Sequence, residues 1–232
     1  MALRLKIGPI AADPSRPLWA WDWLRRSAPA VRQALSDMAR RNGWDANAIA
    51  CTICRESGGD PSAVNPKSGA TGLIQFMPAT AKALGTTTDR LGKMPAETQL
   101  AFVERYLKNA LHSAPDEVGD YYMAVFWPAE IGSPDAREIA RKGTKVYDQN
   151  AGVDWNGDGV LDVGDVKQIF RGTFAEVQAR IAAGSLGMLD LTAPAVGSPP
   201  RLSSVRGLKK SGWWGAGLLV AAAAAAWWRL GR

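Results

Sequence analysis

Histidine and cysteine are nearly missing from this chain, which has one His and two Cys among 232 residues. His112 alone cannot build a histidine-based metal centre and reads as a surface or capping residue. Cys51 and Cys54 form a lone C-x-x-C inside a predicted helix, with neither a βαβ context nor a second ligand pair, so they read as packing residues. The segment from Met1 to Arg26 lacks the unbroken apolar run of a secretory signal, being interrupted by Pro9, Asp13, Pro14, Arg16 and Pro17. Alternating strand patterns are missing between Ala28 and Gln149, and no groove-reading motif for nucleic acid is present. Acid is missing from residues 200–232, where Arg201, Arg206, Lys209, Lys210, Arg229 and Arg232 account for the whole net charge of +6. A basic tail beside an apolar segment points to an anionic membrane surface, and the remainder of the chain is balanced.

A chain of 232 residues with 47% hydrophobic content can bury one good core, so one main domain with appendages is expected. Val31, Leu35, Met38 and Ala39 keep helical spacing up to the stop at Asn42-Gly43. Asp45 is placed to N-cap a helix that runs through Ile49 and Ile53 to Glu56 and ends at Gly58-Gly59. Further helices are expected over Thr80–Leu84, Glu97–Leu111 and Glu117–Phe126. The expected organisation is a Trp-rich segment at 1–27, a helical domain at 28–150, an acidic loop and helix at 151–185, a linker at 186–210 and an apolar helix at 211–230. Trp19, Trp21 and Trp23 suit either an interface-seeking element or a cap on the core.

The sharpest chemistry lies at Glu56. Ile49, Ile53 and Glu56 fall at i, i+4 and i+7, which turns the carboxyl toward the face that buries the two isoleucines. Burial and the negative end of the helix both disfavour ionisation, so its pKa is expected to rise, as proton donation to a glycosidic oxygen requires. The run Arg55-Glu56-Ser57-Gly58-Gly59-Asp60-Pro61, followed by Asn65-Pro66 and Gly69-Ala70-Thr71-Gly72-Leu73-Ile74-Gln75-Phe76-Met77-Pro78, resembles the catalytic core of the lytic transglycosylases of the lysozyme-like superfamily. The resemblance covers about residues 30–130. It implies a mostly α, lysozyme-like domain that cleaves the β-1,4 bond between N-acetylmuramic acid and N-acetylglucosamine in peptidoglycan.

Within that resemblance Glu56 takes the part of acid and then base, and Ser57 and Gln75 orient the acid or bind the N-acetyl group. Most glycosidases use two carboxylates. The motif supplies one, because Asp60 belongs to the Asp-Pro turn after the Gly-Gly break. The family's solution is assistance from the substrate's acetamido group, giving a 1,6-anhydro product without water; a hydrolytic, muramidase-type outcome stays open from sequence. Where many members have Ala-Tyr-Asn, this chain has Val125-Phe126-Trp127, and Tyr122, one turn earlier on the same face, is the candidate replacement hydroxyl. Phage-type relatives share this departure, so the resemblance implies a viral source, with virion proteins as partners.

Asp154-Trp155-Asn156-Gly157-Asp158-Gly159-Val160-Leu161-Asp162-Val163-Gly164-Asp165 follows the twelve-residue EF-hand pattern. Asp154, Asn156, Asp158, Asp162 and Asp165 supply side-chain oxygens, Val160 a backbone carbonyl, and Gly159 the sharp turn, so a structural Ca²⁺ is expected in an EF-hand-like appendage. Beyond the linker, Trp213 to Trp228 is uncharged and spans roughly 24 Å as a helix, bracketed by Trp pairs and basic residues as a C-terminal membrane helix would be. The expected protein is a membrane-associated peptidoglycan lytic transglycosylase of the bacterial envelope or a phage virion. The reading from another class is a channel or structural virion protein whose lysozyme-like domain only binds glycan.

Overall fold

Asp45 starts the helix around which the others gather. Its Oδ1 accepts the amides of Asn47 and Ala48 at 2.9 and 3.2 Å, capping α3 (Ala46–Ser57) as the sequence predicts. Its Oδ2 accepts Asp13 N and the Arg16 guanidinium at 3.0 and 2.6 Å, tying the amino-terminal segment to the same helix end. Along α3, Ala48, Ile49, Ala50, Cys51, Thr52 and Ile53 are all buried. Gly58, in the left-handed region at φ 65°, ends the helix.

This computed structural model of the protein describes residues 6–196. Against α3 pack α2 (Pro29–Asn42), α7 (Val118–Phe126) and α9 (Val163–Ala182), with α6 (Ala96–Ala110) laid on α2, α1 (Asp22–Arg26) tied to α3 through Trp23, and the short helices α4 (Pro78–Ala83) and α5 (Thr88–Gly92) beside the 71–76 turn. The helical expectations thus match within a residue or two. An antiparallel pair, β1 (Glu138–Arg141) and β2 (Val160–Asp162), flanks α8 (Lys145–Asn150) and pairs Ala140 with Leu161 and Arg141 with Val160. The sequence pattern did not announce these short strands, since neither is long enough to show alternation.

Packing does not stop at the expected boundaries. Trp19, Trp21 and Trp23 are buried in the common core, so of the two readings the structure places this segment as a cap on the core. Trp23 lies so close to Gly59 that a Cβ on that glycine would sit 2.5 Å from its ring. The acidic loop's helix is likewise no appendage: Val166, Phe170 and Phe174 are fully buried and belong to the same core. The first part of the expected linker is structured too. Ala20 N donates to Gly187 O at 3.0 Å, Leu189 N to Leu18 O at 2.8 Å and Val196 N to Arg25 O at 2.8 Å. Buried Arg32 fixes the corner by donating to the carbonyls of Leu24 and Arg25, two acceptors at the end of α1, and to those of Asp190 and Ala193 in the segment that crosses it. The expected helix at 211–230 lies outside the described residues, and among the described residues no helix is long and apolar enough to cross a membrane.

A buried ionic network joins α9 to α7. Lys167 Nζ lies 3.0 Å from Glu117 and 2.8 Å from Asp120, while Arg171 reaches Glu117 at 2.5 Å and Asp135 at 2.6 Å. Side-chain exposures of 0% for Arg171 and 3% for Lys167 show that both cations depend on these partners. Removing one member strands the others in a low-dielectric setting. Arg171→Met is therefore expected to cost about 3 to 5 kcal/mol of folding stability, read as a lowered midpoint in urea; an unchanged midpoint would show that the network contributes nothing net.

Candidate active site

Glu56 stands in the last turn of α3, part of its surface open and its carboxyl among buried groups. Loss of water raises its pKa from 4.5 to about 7, and the charge of neighbouring Arg55 opposes the rise. Among the described residues no second carboxylate acts on Glu56. Asp60 is occupied in its own turn, accepting Ser62 N and Oγ at 2.8 and 2.7 Å. Glu104 is held by Arg41, Asn42 and Lys108, and its pKa falls to about 2.

Two phenols share the surroundings of Glu56. Tyr106 on α6 and Tyr122 on α7 are both raised well above the ordinary tyrosine range, first by burial and then by the Glu56 charge. Tyr106 donates to Ala124 O at 2.8 Å and meets Phe76 edge-on at 6.3 Å. Tyr122 accepts a hydrogen bond from Arg55, and its ring stacks between Phe126 at 6.0 Å and Phe170 at 5.7 Å. The structure thus brings Tyr122 to Glu56, with its side chain buried.

Opposite Glu56's helix end is a tight turn closed by paired bonds between Thr71 and Phe76, at 3.0 and 2.9 Å. Ser57 ties this turn to α3: its hydroxyl donates to Leu73 O at 2.9 Å and accepts Gly59 N at 3.2 Å. The hydroxyl's proton thus goes to the scaffold, and one acceptor lone pair is left over from these two bonds. Gln75 adopts φ 54°, uncommon for a residue with a Cβ, and its Nε2 donates to Ala63 O and Gly72 O at 3.2 and 3.1 Å. Its Oε1 is buried without a partner among the described residues, an acceptor that a ligand N–H would satisfy.

Sequence reasoning missed Gln99. Its Oε1 accepts Leu73 N at 3.0 Å, and its Nε2 donates to Pro61 O and Leu91 O, both at 2.6 Å, so one buried amide pins the turn from beneath. Gly72, at φ 86°, is where that amide comes closest, and any Cβ there would collide with Gln99 Oε1. No local pattern signals such a residue, because its partners lie far along the chain.

The acidic loop closes on its own amides. Asp154 accepts Gly157 N and Gly159 N at 2.7 and 3.0 Å, and the Tyr147 hydroxyl at 2.6 Å. Asn156 accepts Asp158 N, and Asp158 accepts Val160 N, both at 2.8 Å. Asp162 and Asp165 form a reciprocal capping box at the start of α9. Burial, then the nearby Asp162 and Asp154 charges, raise Asp165 to about 6. Among the described residues no three Asp, Glu, His or Cys side chains converge as a metal cluster. Elsewhere His112 is exposed, and Cys51 and Cys54 are free thiols.

The raised pKa of Glu56 carries a stability signature. A proton held more tightly in the folded state stabilises fully below the ordinary value of 4.5, and that contribution is lost as pH climbs through about 7. Glu56→Gln, neutral throughout, is expected to resist urea better than the native protein at about pH 8 and no better at about pH 4. Equal resistance at both would mean an ordinary, solvated carboxyl.

No match to the chain is found among curated proteins. A family match begins within α2 and ends within α7, enclosing Glu56, Ser57, Gln75, Gln99, Tyr106 and Tyr122 and leaving the acidic loop and α9 outside. Residues 34–124 match the Transglycosylase SLT domain, of the lysozyme-like superfamily, a family of lytic transglycosylases acting on peptidoglycan.

Proposed function

We propose that the protein is a lytic transglycosylase that cleaves the N-acetylmuramic acid to N-acetylglucosamine bond without water and leaves 1,6-anhydro ends. The observation that carries this reading is a single carboxylic acid, raised to about 7, on which no other carboxylate acts among the described residues. Protonated Glu56 donates to the glycosidic oxygen and the bond to the muramic C1 breaks. With no second carboxylate acting beside Glu56 among the described residues, the substrate's own acetamido oxygen meets the positive charge at C1, and the Gln75 Oε1 is an acceptor available to hold an acetamido N–H. Glu56, now ionised, takes the proton of the 6-hydroxyl, whose oxygen closes onto C1. The acid regains its proton and no water is consumed. Hydrolysis in the muramidase manner differs only in the final nucleophile.

The acidic loop is proposed to hold Ca²⁺ in a structural role through Asp154, Asn156, Asp158, Asp162, Asp165 and the Val160 carbonyl. What supports this is the chemistry of the donor set, all hard oxygen at EF-hand spacing, with Gly159 turning at φ 84° and a helix following. Binding there would reinforce the start of α9 and so the core it enters. The reading of residues 211–230 as a membrane anchor, and of the protein as a phage virion or lysis component at the bacterial envelope, rests on the Trp-bracketed apolar pattern of the tail and on Phe126.

Zymography on peptidoglycan, with mass spectrometry of the released fragments, tests the reaction. The native protein is expected to clear and to yield anhydro ends, and Glu56→Gln to lose roughly 10²-fold or more in rate. Reducing ends would replace the proposal with a muramidase. Equal clearing by both proteins would remove Glu56 from the chemistry and leave only glycan binding.

For the acidic loop, calcium at a hundred times its Kd is expected to add about 2.7 kcal/mol to folding stability, with the thermal midpoint rising and Asp154→Ala abolishing the rise. A midpoint indifferent to calcium and to chelator would end the metal proposal.

A further inference from the structure

Arg55 precedes Glu56 in the chain yet is drawn to a helix far downstream. Its Nη1 donates to Thr173 Oγ1 at 2.8 Å and approaches Ile169 O at 3.5 Å, both on α9. Thr173 in turn donates to Ile169 O at 3.2 Å, which fixes the hydroxyl that receives the guanidinium. From there Arg55 bonds the Tyr122 hydroxyl, its central carbon 5.5 Å from the ring centre. Tyr122 is itself held by α9, through Phe170, which stacks on Phe174 at 6.2 Å, which meets Trp19 at 4.8 Å. One helix therefore sets both the cation beside the acid and the phenol beside the acid.

We infer that Arg55, braced by Thr173, is a positioning residue for Glu56 and Tyr122, which makes α9 a working part of the active site although it lies outside the matched domain. The inference rests on the proposed reaction for its catalytic consequence and on the hydrogen bonds alone for its geometry. A long cationic side chain free to rotate would spread its effect over many positions; one held at Thr173 and Tyr122 delivers a fixed field to Glu56. The groups that face Glu56 are Arg55 on its own helix, Tyr106 from α6 and Tyr122 from α7. Those that face Arg55 are Glu56, Cys51 and Cys54 on α3 and Tyr122 on α7, and α9 contributes the neutral Thr173. Arg55 is thus the sole cation acting on the acid among the described residues, and its removal must shift Glu56 toward holding its proton more tightly.

The test compares Arg55→Gln, Arg55→Lys and Thr173→Val in the full chain, with folding checked by thermal midpoint. Two quantities are read: the titration of the Glu56 carboxyl by carbon NMR, and kcat and KM on soluble glycan strands. Arg55→Gln is expected to move the Glu56 midpoint upward and lower kcat roughly ten- to a hundredfold with little change in KM. Thr173→Val, which leaves the charge in place but unbraced, is expected to move both in the same direction by less, and Arg55→Lys to restore part of the titration shift. A Glu56 midpoint unmoved in folded Arg55→Gln and Thr173→Val overturns the inference. If the midpoint moves while even the native protein releases no fragments, the positioning stands and the proposed reaction is what fails.

Discussion

The middle of α3 is covered on every face, and the behaviour of the site follows from that one constraint. A helix with Ala48 through Ile53 buried in succession carries a half-exposed final turn in which the Glu56 carboxyl still lies among buried groups. The last acidic group on it is then desolvated by position, without a neighbouring anion to raise its pKa. Charge repulsion between paired carboxylates achieves the same end in aspartic proteases; here burial does so alone, opposed only by Arg55. The bond from Asp45 N to the Tyr121 hydroxyl at one end, 2.9 Å, and the Ser57 to Leu73 bond at the other keep the helix from sliding in its sheath.

Covering α3 takes elements from the whole described chain. The amino-terminal tryptophans close one side, with Trp21 Nε1 on Asn47 Oδ1 and Trp23 Nε1 on Ala50 O, both at 3.2 Å. Helix α9 closes another, its apolar ladder fitted to Tyr122 and Trp19 and its cations neutralised by α7 and the loop before β1. The segment that matches the family is therefore only the middle of the sheath. Phenylalanine at position 126 and an arginine at position 55 make sense together in that setting, since Tyr122 is stacked on the one and hydrogen-bonded to the other.

What could be read from the sequence was whatever depends on near neighbours. The Asp45 cap, the Gly58 stop, the inward turn of Glu56 and most helix limits follow from spacing over a few residues, and the structure has them. The boundaries between segments were not legible, because covering a helix is a matter of distant partners: Arg32 finds carbonyls at 190 and 193, and Gln99 finds Pro61 and Leu73. Ser57 shows the same limit on a finer scale. Its place beside Glu56 suggests chemistry, but nothing local signals the bonds to Leu73 and Gly59 by which it also holds the turn.

The Arg32 corner joins residues 18–25, near the start of the described chain, to residues 187–196 at its end. A chain growing from its amino terminus carries the first of these long before the second exists. Trp19 and the carbonyls that end α1 must wait through most of synthesis for the segment that covers them, so closure of this body is a late event governed by a loop of well over a hundred residues.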